Sequence, residues 1–486
     1  MSEIEILSTS KVNKIKACPA SIGPGTKTPK SQLDRWVAVF NAINDWYFND
    51  APEEVSILSA IENNFAFFDD LQKKICEELF ENFRNSHPDF KDSVISSETS
   101  PKIVEKEIGG KVYGISSAVQ FEIQKKDKTE LVKMKISNSP VNLLDASVLH
   151  HEKSELEENL VTYISDGAVE NILPPENSME VIEEAFRSID NYYSSDTKKT
   201  NPGLNCYYCN RPSRCGQFPE LSNKKTKNTD RGILVSKTQL LNLNLCERKA
   251  AWKAQYGIPP SVKETSEQLV FGIKFHEYTQ QVIAEVSEPF SDLGIEKMKK
   301  ITENEEEELN KRLVASFRLL IEEVSTYKNI NLSKSEFELG FTTLVSGLVS
   351  NSKKEIYDGN VAVTYMGKAD FVGRLDGDVP LVVELKTGKE RDEHKLEADL
   401  YAIGAKTILK EEKIIVLHIY LDTNSAKVVE RVYETKDFAK LNEFFISKAL
   451  VIGSWDPEDS LSPPYTVGSW CEYCEFKTSC IEYRNE

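Results

Sequence analysis

Apolar and polar positions in the second half of the chain predict helices followed by strands. Ser236 can cap a helix that runs through Cys246 and ends near Gly257. Apolar residues recur at helical spacing in 267–286 and in 304–324, where an acidic start favours a helix N-terminus. Four later segments have the pattern of strands: FELGFTTLV, NVAVTYMG, KADFVGRL and VPLVVELKT. We therefore expect an α/β domain in this half.

The last two of these segments are predicted to form a hairpin that brings two carboxylates face to face. Asp376, Gly377 and Asp378 lie between them and have turn-forming chemistry. If these three residues form the loop, Asp370 lies opposite Glu384, with Cβ atoms about 5 Å apart. Like charges at such positions are destabilising unless something compensates them. A hard divalent cation does so, because carboxylate oxygens are preferred ligands of Mg²⁺ and Mn²⁺.

Lys386 lies two residues beyond Glu384, so it projects from the same face of the strand. Taken alone, a Glu-x-Lys pair on a strand is most often a surface salt bridge. This pair lies in VPLVVELKT, an apolar run bounded by turns that is otherwise typical of a buried strand. Because buried charges are costly unless they are paired or bound to metal, a functional site is the better interpretation.

Eight of the nine cysteines follow one spacing rule twice. Each half contains a C-x2-C-x5-C triplet with a lone cysteine far upstream of it. The first set is Cys18, Cys206, Cys209 and Cys215, and the second set is Cys246, Cys471, Cys474 and Cys480. Buried inert side chains are the alternative, and a single match could arise by chance. Two matches favour ligand sites, and Cys76, which has no counterpart, is interpreted as a core residue.

Four thiolates suit Zn²⁺ or a [4Fe–4S] cluster equally well by number. Zinc sites usually draw their ligands from a compact segment, whereas Cys246 and Cys471 lie at opposite ends of the second half. We therefore favour iron–sulfur clusters over zinc at both sets. By analogy with a disulfide that closes so long a loop, the cross-link would contribute about 5 kcal/mol through the unfolded state.

The surroundings of the two cysteine sets indicate an internal duplication. Two pairs of segments resemble each other: residues 8–22 with 234–250, and residues 160–172 with 417–432. Self-similarity over this length indicates a duplicated domain. The polar, lysine-rich stretch 221–232 has the composition of a linker. We place the boundary near residue 230, which divides the chain into domains at 1–228 and 229–486.

The order and spacing of motifs resemble the RecB-like branch of the PD-(D/E)XK nuclease superfamily over about residues 232–486. The matched motifs are G-x-x-x-H at Gly272 to His276, G-[KR]-x-D at Gly367 to Asp370, E-x-K at Glu384 and Lys386, and Q-x-x-x-Y at Glu397 and Tyr401, with Glu in place of Gln. The cysteines match the iron–sulfur subset, which includes CRISPR-associated RecB-like exonucleases and nuclease domains of AddB-type helicase partners. Since no G-x-x-x-x-G-K-[ST] helicase motif occurs, the CRISPR-associated exonucleases are the closer relatives.

This resemblance implies two tandem restriction-endonuclease-like domains, each with a mixed central sheet flanked by helices and its ends joined by a four-cysteine cluster. The implied ligands of Mg²⁺ or Mn²⁺ are His276, Asp370, Glu384 and the backbone carbonyl of Leu385. Lys386 would orient or deprotonate the attacking water and offset charge on the phosphate. Tyr401 and Glu397 would complete the catalytic set.

The first half is predicted to have lost these ligands. Aligning VKMK with VELK puts Lys133 where the second half has its metal-binding Glu, and Lys135 where it has Lys. Extending the alignment upstream without a gap puts Val119 where the second half has its Asp. The segment from Phe40 to Asn44 takes the place of G-x-x-x-H. With no paired carboxylates to hold a cation, this half is expected to be a degenerate pseudo-nuclease.

Composition bounds these hypotheses. The net charge of −18 and pI of about 5.1 argue against a surface that coats nucleic acid, but allow one local basic channel. With 40% hydrophobic residues and no apolar run that approaches membrane-spanning length, we expect a cytoplasmic protein that has no membrane partner. Reduced thiols in that compartment also argue against a disulfide framework.

The leading hypothesis is a metal-dependent DNA nuclease, an exonuclease in preference to an endonuclease. Its expected substrate is single-stranded or end-bearing DNA, and its expected partners are proteins of CRISPR adaptation or DNA repair. One alternative is an iron–sulfur scaffold or DNA-end-binding assembly protein with weak or regulatory nuclease activity. A two-cluster electron carrier would explain the cysteines but not the carboxylates of the hairpin.

Overall fold

The computed structural model describes residues 4–22, 32–64, 69–97, 99–137, 139–201, 206, 209, 211, 215, 217–221, 231–260, 267–327, 330–350, 356–422 and 425–483. These residues form three mixed β-sheets flanked by helices, which agrees with the α/β class expected from the sequence. Among the described helices, none is both long and apolar enough to cross a bilayer.

The second half is built on a six-stranded sheet. Its strands are β9 (Arg231–Ser236), β10 (Ile330–Ser350), β11 (Ile356–Leu375), β12 (Val379–Lys386), β13 (Ile414–Asp422) and β14 (Ser425–Tyr433). The order is β10-β11-β12-β13-β14, and β9 pairs with β11. The pairs β9–β11 and β12–β13 are parallel, whereas the other neighbours are antiparallel.

Helices cover both faces of this sheet. They are α7 (Lys237–Leu245), α8 (Glu247–Ala251), α9 (Glu267–Glu285), α10 (Asp292–Ile301), α11 (Glu307–Ser325), α12 (His394–Leu409), α13 (Thr435–Gly453) and α14 (Lys477–Glu482). One apolar cluster joins α9, α10 and α11 to Val383 and Leu417, and another joins α12 and α13 to Val382 and Val416. Because both faces are covered, β12 is buried along almost its whole length.

The first half contains two smaller sheets. Its strands are β1 (Glu5–Ser8), β2 (Val94–Ser96), β3 (Lys102–Ile108), β4 (Lys111–Ser117), β5 (Phe121–Gln124), β6 (Thr129–Lys135), β7 (Glu157–Tyr163) and β8 (Ala168–Asn171). The orders are β1-β4-β3 and β2-β5-β6-β7-β8. The helices are α1 (Thr9–Ala17), α2 (Gln32–Phe48), α3 (Glu53–Asn64), α4 (Asp70–Ser86), α5 (Leu143–His150) and α6 (Ser178–Ser194).

The two halves repeat one order of strand pairings. Strand β1 runs parallel to β4, whose other neighbour β3 is antiparallel, and β9, β11 and β10 are related in the same way. The series β5-β6-β7-β8 is antiparallel, parallel and antiparallel, as is β11-β12-β13-β14. The predicted boundary near residue 230 and most of the linker, 222–230, lie outside the described residues.

The two halves also share a hydrophobic core. A single apolar cluster contains Phe83 and Phe121 from the first half together with Trp252 from the second. The buried Arg35 guanidinium donates to the backbone carbonyls of Tyr256 and Gly257, at 3.2 and 2.5 Å. Because these contacts join the halves, either half alone would expose apolar surface to water.

Three element predictions need correction. The helix expected from Ser236 to Gly257 is interrupted at Cys246, whose extended backbone (φ −156°) separates α7 from α8. The segments NVAVTYMG and KADFVGRL form one continuous strand, β11, because Gly367 does not break it. A Cβ at Gly367 would lie 2.9 Å from the Tyr401 ring, so glycine is needed there for the close approach of α12. The acidic helix begins at Glu307, three residues later than expected from 304–324.

Candidate active site

The predicted hairpin has the register that its turn chemistry indicates. Phe371 pairs with Val383 and Leu375 with Val379, which leaves residues 376–378 as the loop. Positive φ angles at Asp376 and Gly377, 52° and 79°, suit residues that tolerate the left-handed region. The next facing positions beyond Phe371 and Val383 are Asp370 and Glu384, where the two strands leave the ladder.

Helix α9 brings His276 to Asp370. The His276 Nδ1 atom lies 2.8 Å from Asp370 Oδ1, and Asp370 Oδ2 accepts a hydrogen bond of 2.7 Å from the backbone N–H of Leu385. A Cβ at Gly272 would lie 2.9 Å from Thr387 Oγ1, so the glycine of G-x-x-x-H lets the helix approach the end of β12. Burial lowers the pKa of His276, but the charge and hydrogen bond of Asp370, together with the charge of Glu384, raise that pKa overall. Burial raises the pKa of Asp370, but the positive charge of His276 leads the effects that lower it overall.

Glu384 is only 3% exposed, and both of its carboxylate oxygens have partners. Its Oε1 atom lies 2.6 Å from Lys237 Nζ and 2.8 Å from Lys386 Nζ. Its Oε2 atom accepts a 2.8 Å hydrogen bond from the Tyr401 hydroxyl. A buried carboxylate is stable only with such compensation.

Glu397, which replaces the expected Gln, lies behind Glu384 and is 1% exposed. Its Oε1 atom lies 2.5 Å from Lys237 Nζ, and its Oε2 atom lies 2.9 Å from Lys386 Nζ and 3.2 Å from His418 Nε2. Burial raises the pKa of Glu397, but the Lys237 charge leads the effects that hold it well below its usual range. Position 397 is therefore an ionised part of a lysine–carboxylate cluster.

Lys237 is a site residue that sequence reasoning missed. It is the first residue of α7, directly after the capping Ser236, and its Nζ atom also lies 3.0 Å from the Tyr401 hydroxyl. Burial lowers the pKa of Lys237, but the Glu384 carboxylate leads the effects that raise it well above its usual range. The sequence offers one weak signal, which is a lysine that follows directly after an apolar strand and a helix cap.

These residues meet at one cavity of about 850 Å³. Its lining includes the predicted residues His276, Asp370, Glu384, Leu385 and Lys386. Two further lysines, Lys237 and Lys368, and two exposed apolar side chains, Leu269 and Ile273, also line it. The strand ends thus contribute both lysines and carboxylates to the cavity, and α9 contributes a mixture of polar and apolar side chains.

The donor types at this cavity fit a hard divalent cation. Two carboxylates and one imidazole line it, and carboxylate oxygens are the ligands that Mg²⁺ and Mn²⁺ prefer. In the described part of the chain, no group of three or more His, Cys, Asp or Glu side chains is arranged closely enough to hold a metal ion. At Glu384, ammonium groups take the positions next to the oxygen that a cation would occupy.

The second cysteine set lines a separate cavity. Cys246, Cys471, Cys474 and Cys480 all face it, although they come from the α7–α8 junction and from the C-terminal turn and helix. In the first set, Cys18 Sγ accepts a 3.3 Å hydrogen bond from the backbone N–H of Asn201. Burial raises the pKa of the Cys209 thiol, and the nearby Cys215 and Cys18 thiols raise it further. None of the described cysteines forms a disulfide.

The first half places Gln120, not Val119, at the position of Asp370. Phe121 pairs with Val132 where the second half pairs Phe371 with Val383, so the first hairpin is one residue shorter. The ungapped alignment was therefore wrong by one position, and Val119 is a buried core residue. The Gln120 side chain accepts a hydrogen bond from the backbone N–H of Met134 at 2.8 Å, as Asp370 does from that of Leu385.

Both strand lysines of the first half have internal partners. Lys133 Nζ lies 3.3 Å from Asp145 Oδ1 and 3.1 Å from the backbone carbonyl of Ala118. Lys135 donates to the backbone carbonyl of Pro140 at 3.0 Å. Asn44, predicted to replace the histidine, donates to the backbone carbonyl of Phe40 within α2.

Comparison with known proteins gives one family. The family model described as "PD-(D/E)XK nuclease superfamily" matches residues 234–481. No curated protein matches the chain. Among solved structures, "Crystal structure of SSO0001" aligns at 16% identity over 55% of this chain and 91% of that chain, with a TM-score of 0.22. A TM-score this low does not establish a shared fold or function.

Proposed function

The chain belongs to the PD-(D/E)XK nuclease superfamily, whose members are generally Mg²⁺- or Mn²⁺-dependent nucleases, and from this premise we propose that it hydrolyses phosphodiester bonds in DNA. The observation that carries the proposal is the meeting of His276, Asp370, Glu384 and Lys386 at one open cavity. These four residues come from α9, β11 and β12, so only the folded chain brings them together.

His276, Asp370, Glu384 and the carbonyl of Leu385 would hold the divalent cation. When bound, such a cation polarises a phosphoryl oxygen and lowers the pKa of a coordinated water. Lys386 points from the metal-binding strand into the same cavity, where its ammonium group would orient the attacking water and offset charge on the phosphate. Its contact with Glu384 at 2.8 Å keeps it beside the reacting groups.

Tyr401 and Glu397, predicted among the catalytic residues, are proposed as positioning residues. Tyr401 is fully buried and orients Glu384, while Glu397 holds Lys386 and Lys237. Neither of these two side chains lines the cavity. They act on the chemistry through the residues that they contact.

The proposed substrate is single-stranded or end-bearing DNA, cleaved as an exonuclease of the RecB-like branch does. Lys368, Lys237 and Lys386 place three ammonium groups in the lining beside the carboxylates of Glu277, Asp370 and Glu384, so phosphate contacts are available there despite the net charge of −18. The exposed Leu269 and Ile273 in the same lining offer apolar surface that unpaired bases would contact. By the same resemblance, we propose a role in CRISPR adaptation or DNA repair in the cytoplasm, with proteins of those pathways as partners.

We also propose that each cysteine set holds a [4Fe–4S] cluster. The support is the shared cavity of Cys246, Cys471, Cys474 and Cys480, with zinc as the alternative occupant. Anaerobically purified protein should absorb broadly near ~400 nm, and Cys246→Ser should remove about half of that absorbance. Cys76→Ser, at a buried cysteine outside both sets, is the matched control and should keep it all. Stoichiometric zinc without iron would instead favour zinc as the metal bound by the cysteines.

The repeated strand pairings support the proposal of two tandem domains at 1–228 and 229–486. Gln120 and Lys133 stand where the second half has Asp370 and Glu384, so the first domain lacks the paired carboxylates. We propose that it is a pseudo-nuclease kept for its fold, its cluster, or contacts with DNA or a partner. The core shared between the halves is consistent with such a supporting role.

A second candidate function is a scaffold or DNA-end-binding assembly protein with weak nuclease activity. The observation that favours it is the full engagement of Glu384 by two lysines and a tyrosine. Cleavage of end-labelled single-stranded DNA in Mn²⁺ distinguishes the two functions. Lys386→Ala should slow cleavage while leaving Mn²⁺ binding largely intact, and Lys427→Ala, at an exposed lysine paired with Glu390, is the control. DNA binding without cleavage by the unaltered protein would favour the scaffold.

A further inference from the structure

Lys237 contacts the predicted metal ligand Glu384 and the substituted position 397 at the same time. Its Nζ atom lies 2.6 Å from Glu384 Oε1, 2.5 Å from Glu397 Oε1 and 3.0 Å from the Tyr401 hydroxyl. The two carboxylates are 3% and 1% exposed. One ammonium group therefore bridges two buried acids that would otherwise repel each other.

The second negative charge arises from a departure of this chain from the motif it resembles. Position 397 carries Glu where Gln is expected, so one extra buried charge needs a partner. Lys386 is shared between Glu384 and Glu397, at 2.8 and 2.9 Å, and cannot neutralise both. Lys237 supplies the missing positive charge.

The first half has the same geometry with its charges rearranged. Thr9 follows the capping Ser8 of α1, as Lys237 follows Ser236 of α7, and its hydroxyl donates to Asp145 at 2.6 Å. There the strand residue Lys133 already supplies the positive charge beside Asp145. In the second half, the strand residue is the acid Glu384 and the residue after the helix cap is Lys237. In the first half, the strand residue is Lys133 and the residue after the helix cap is the uncharged Thr9.

We propose that Lys237 is a positioning residue that competes with the divalent cation for Glu384. Glu397 is the carboxylate that keeps Lys237 bound when the cation occupies Glu384. With the cation bound at Glu384, the lysine keeps its contacts with Glu397 and Tyr401. With no cation bound, it neutralises Glu384 and keeps the buried acids from repelling each other. This inference rests on the proposed function, because it assumes that Glu384 is a cation ligand.

The test is a double-variant cycle on the full chain, with Mn²⁺ alone titrated by calorimetry and no DNA present. Lys237→Met removes the competing charge and should tighten Mn²⁺ binding by about tenfold, equivalent to ~1.4 kcal/mol. Glu397→Gln leaves Lys237 with Glu384 as its remaining carboxylate partner and should weaken binding by about tenfold. The double variant restores the charge balance and should bind within about threefold of the unaltered protein.

Two controls separate this role from a general structural one. Lys274→Met, at a lysine on α9 paired with Glu305, removes a positive charge from another site and should leave Mn²⁺ affinity unchanged. If Lys237→Met does not fold, recovery of affinity on adding Lys237→Met to Glu397→Gln still decides the question. Melting temperatures of all variants identify those that are folded.

The outcomes separate the inference from the proposed function. If Mn²⁺ binds and Glu384→Ala abolishes binding, but Lys237→Met weakens or does not change affinity, the inference is wrong and the nuclease proposal stands. Failure of the double variant to recover from Glu397→Gln would overturn it as well. If Glu384→Ala binds Mn²⁺ as the unaltered protein does, both the inference and the metal site fail.

Discussion

Tyr401→Phe removes one hydroxyl from a fully buried part of the site and keeps the ring. That hydroxyl lies 2.8 Å from Glu384 Oε2 and 2.8 Å from the backbone carbonyl of Lys368. It also accepts a 3.0 Å hydrogen bond from Lys237 Nζ. A buried hydrogen bond to a charged group contributes about 2 kcal/mol. We therefore expect the free energy of unfolding to fall by about 2 kcal/mol in denaturant titrations.

The same substitution should also slow DNA cleavage. Residues that orient a metal ligand affect activity by about 10- to 100-fold when they are altered, and Glu384 would lose the donor that fixes its Oε2. Cleavage is measured with end-labelled single-stranded DNA and saturating Mn²⁺, at a temperature where the variant is folded. The expected result is a rate reduced by that factor together with modestly weaker Mn²⁺ binding.

Tyr433→Phe is the matched control. The Tyr433 hydroxyl donates to a buried carboxylate, Asp399, at the same distance of 2.8 Å, but Asp399, unlike Glu384, does not line the cavity. Tyr433→Phe should lower the free energy of unfolding by a similar amount and leave the rate of cleavage unchanged. The reasoning is refuted if Tyr401→Phe cleaves at the normal rate, or if both variants lose cleavage equally.

Three further predictions concern stability, and each is measured by denaturant unfolding. Lys133→Met leaves the buried Asp145 without its cation and should lower the free energy of unfolding by about 3 kcal/mol. Adding Asp145→Asn should restore most of this loss, and no recovery would contradict the ion pair. Arg35→Met leaves the buried carbonyl of Tyr256 and the half-buried carbonyl of Gly257 without their donor, and it should cost about 3 kcal/mol. Substitution of an exposed arginine, Arg374→Met, should cost little, and equal costs would contradict the role of the Arg35 contact. Burial lowers the pKa of His87 to about 4, so the unfolded chain takes up a proton near pH 6.5 while the folded chain stays neutral. As the pH drops from 6.5 to 4, the free energy of unfolding of the unaltered protein should therefore fall by about 3 kcal/mol more than that of His87→Phe. Parallel pH profiles of the two proteins would contradict this.

Local chemistry explains why the register of the β11–β12 hairpin was predictable from sequence. The residues Asp376 to Asp378 specify a three-residue loop, and the loop sets the register that brings Asp370 opposite Glu384. The G-x-x-x-H motif of Gly272 and His276 came from the family resemblance, and the structure places His276 against Asp370 and Gly272 against Thr387. Cysteines at the two ends of the second half line one cavity, although no three described His, Cys, Asp or Glu side chains are grouped closely enough to hold a metal ion.

Other features depend on contacts that no local pattern records. Lys237 and Glu384 lie far apart in sequence, so nothing in the segment around Lys237 indicates its partner. The loss of one residue from the first hairpin shifted the alignment and put Val119 in place of Gln120. The shared core was also not predicted, because apolar positions on α2 and α4 do not reveal which half they will contact.

The central claim is tested most directly by cleavage of end-labelled single-stranded DNA with Mn²⁺, using the anaerobically purified full chain. Asp370→Ala and Glu384→Ala should each reduce cleavage by about 100-fold or more, because each removes a carboxylate ligand of the cation. Circular dichroism should confirm that both variants remain folded. If folded Asp370→Ala protein cleaved DNA at nearly the normal rate, the assignment of this cavity as the active site would be contradicted.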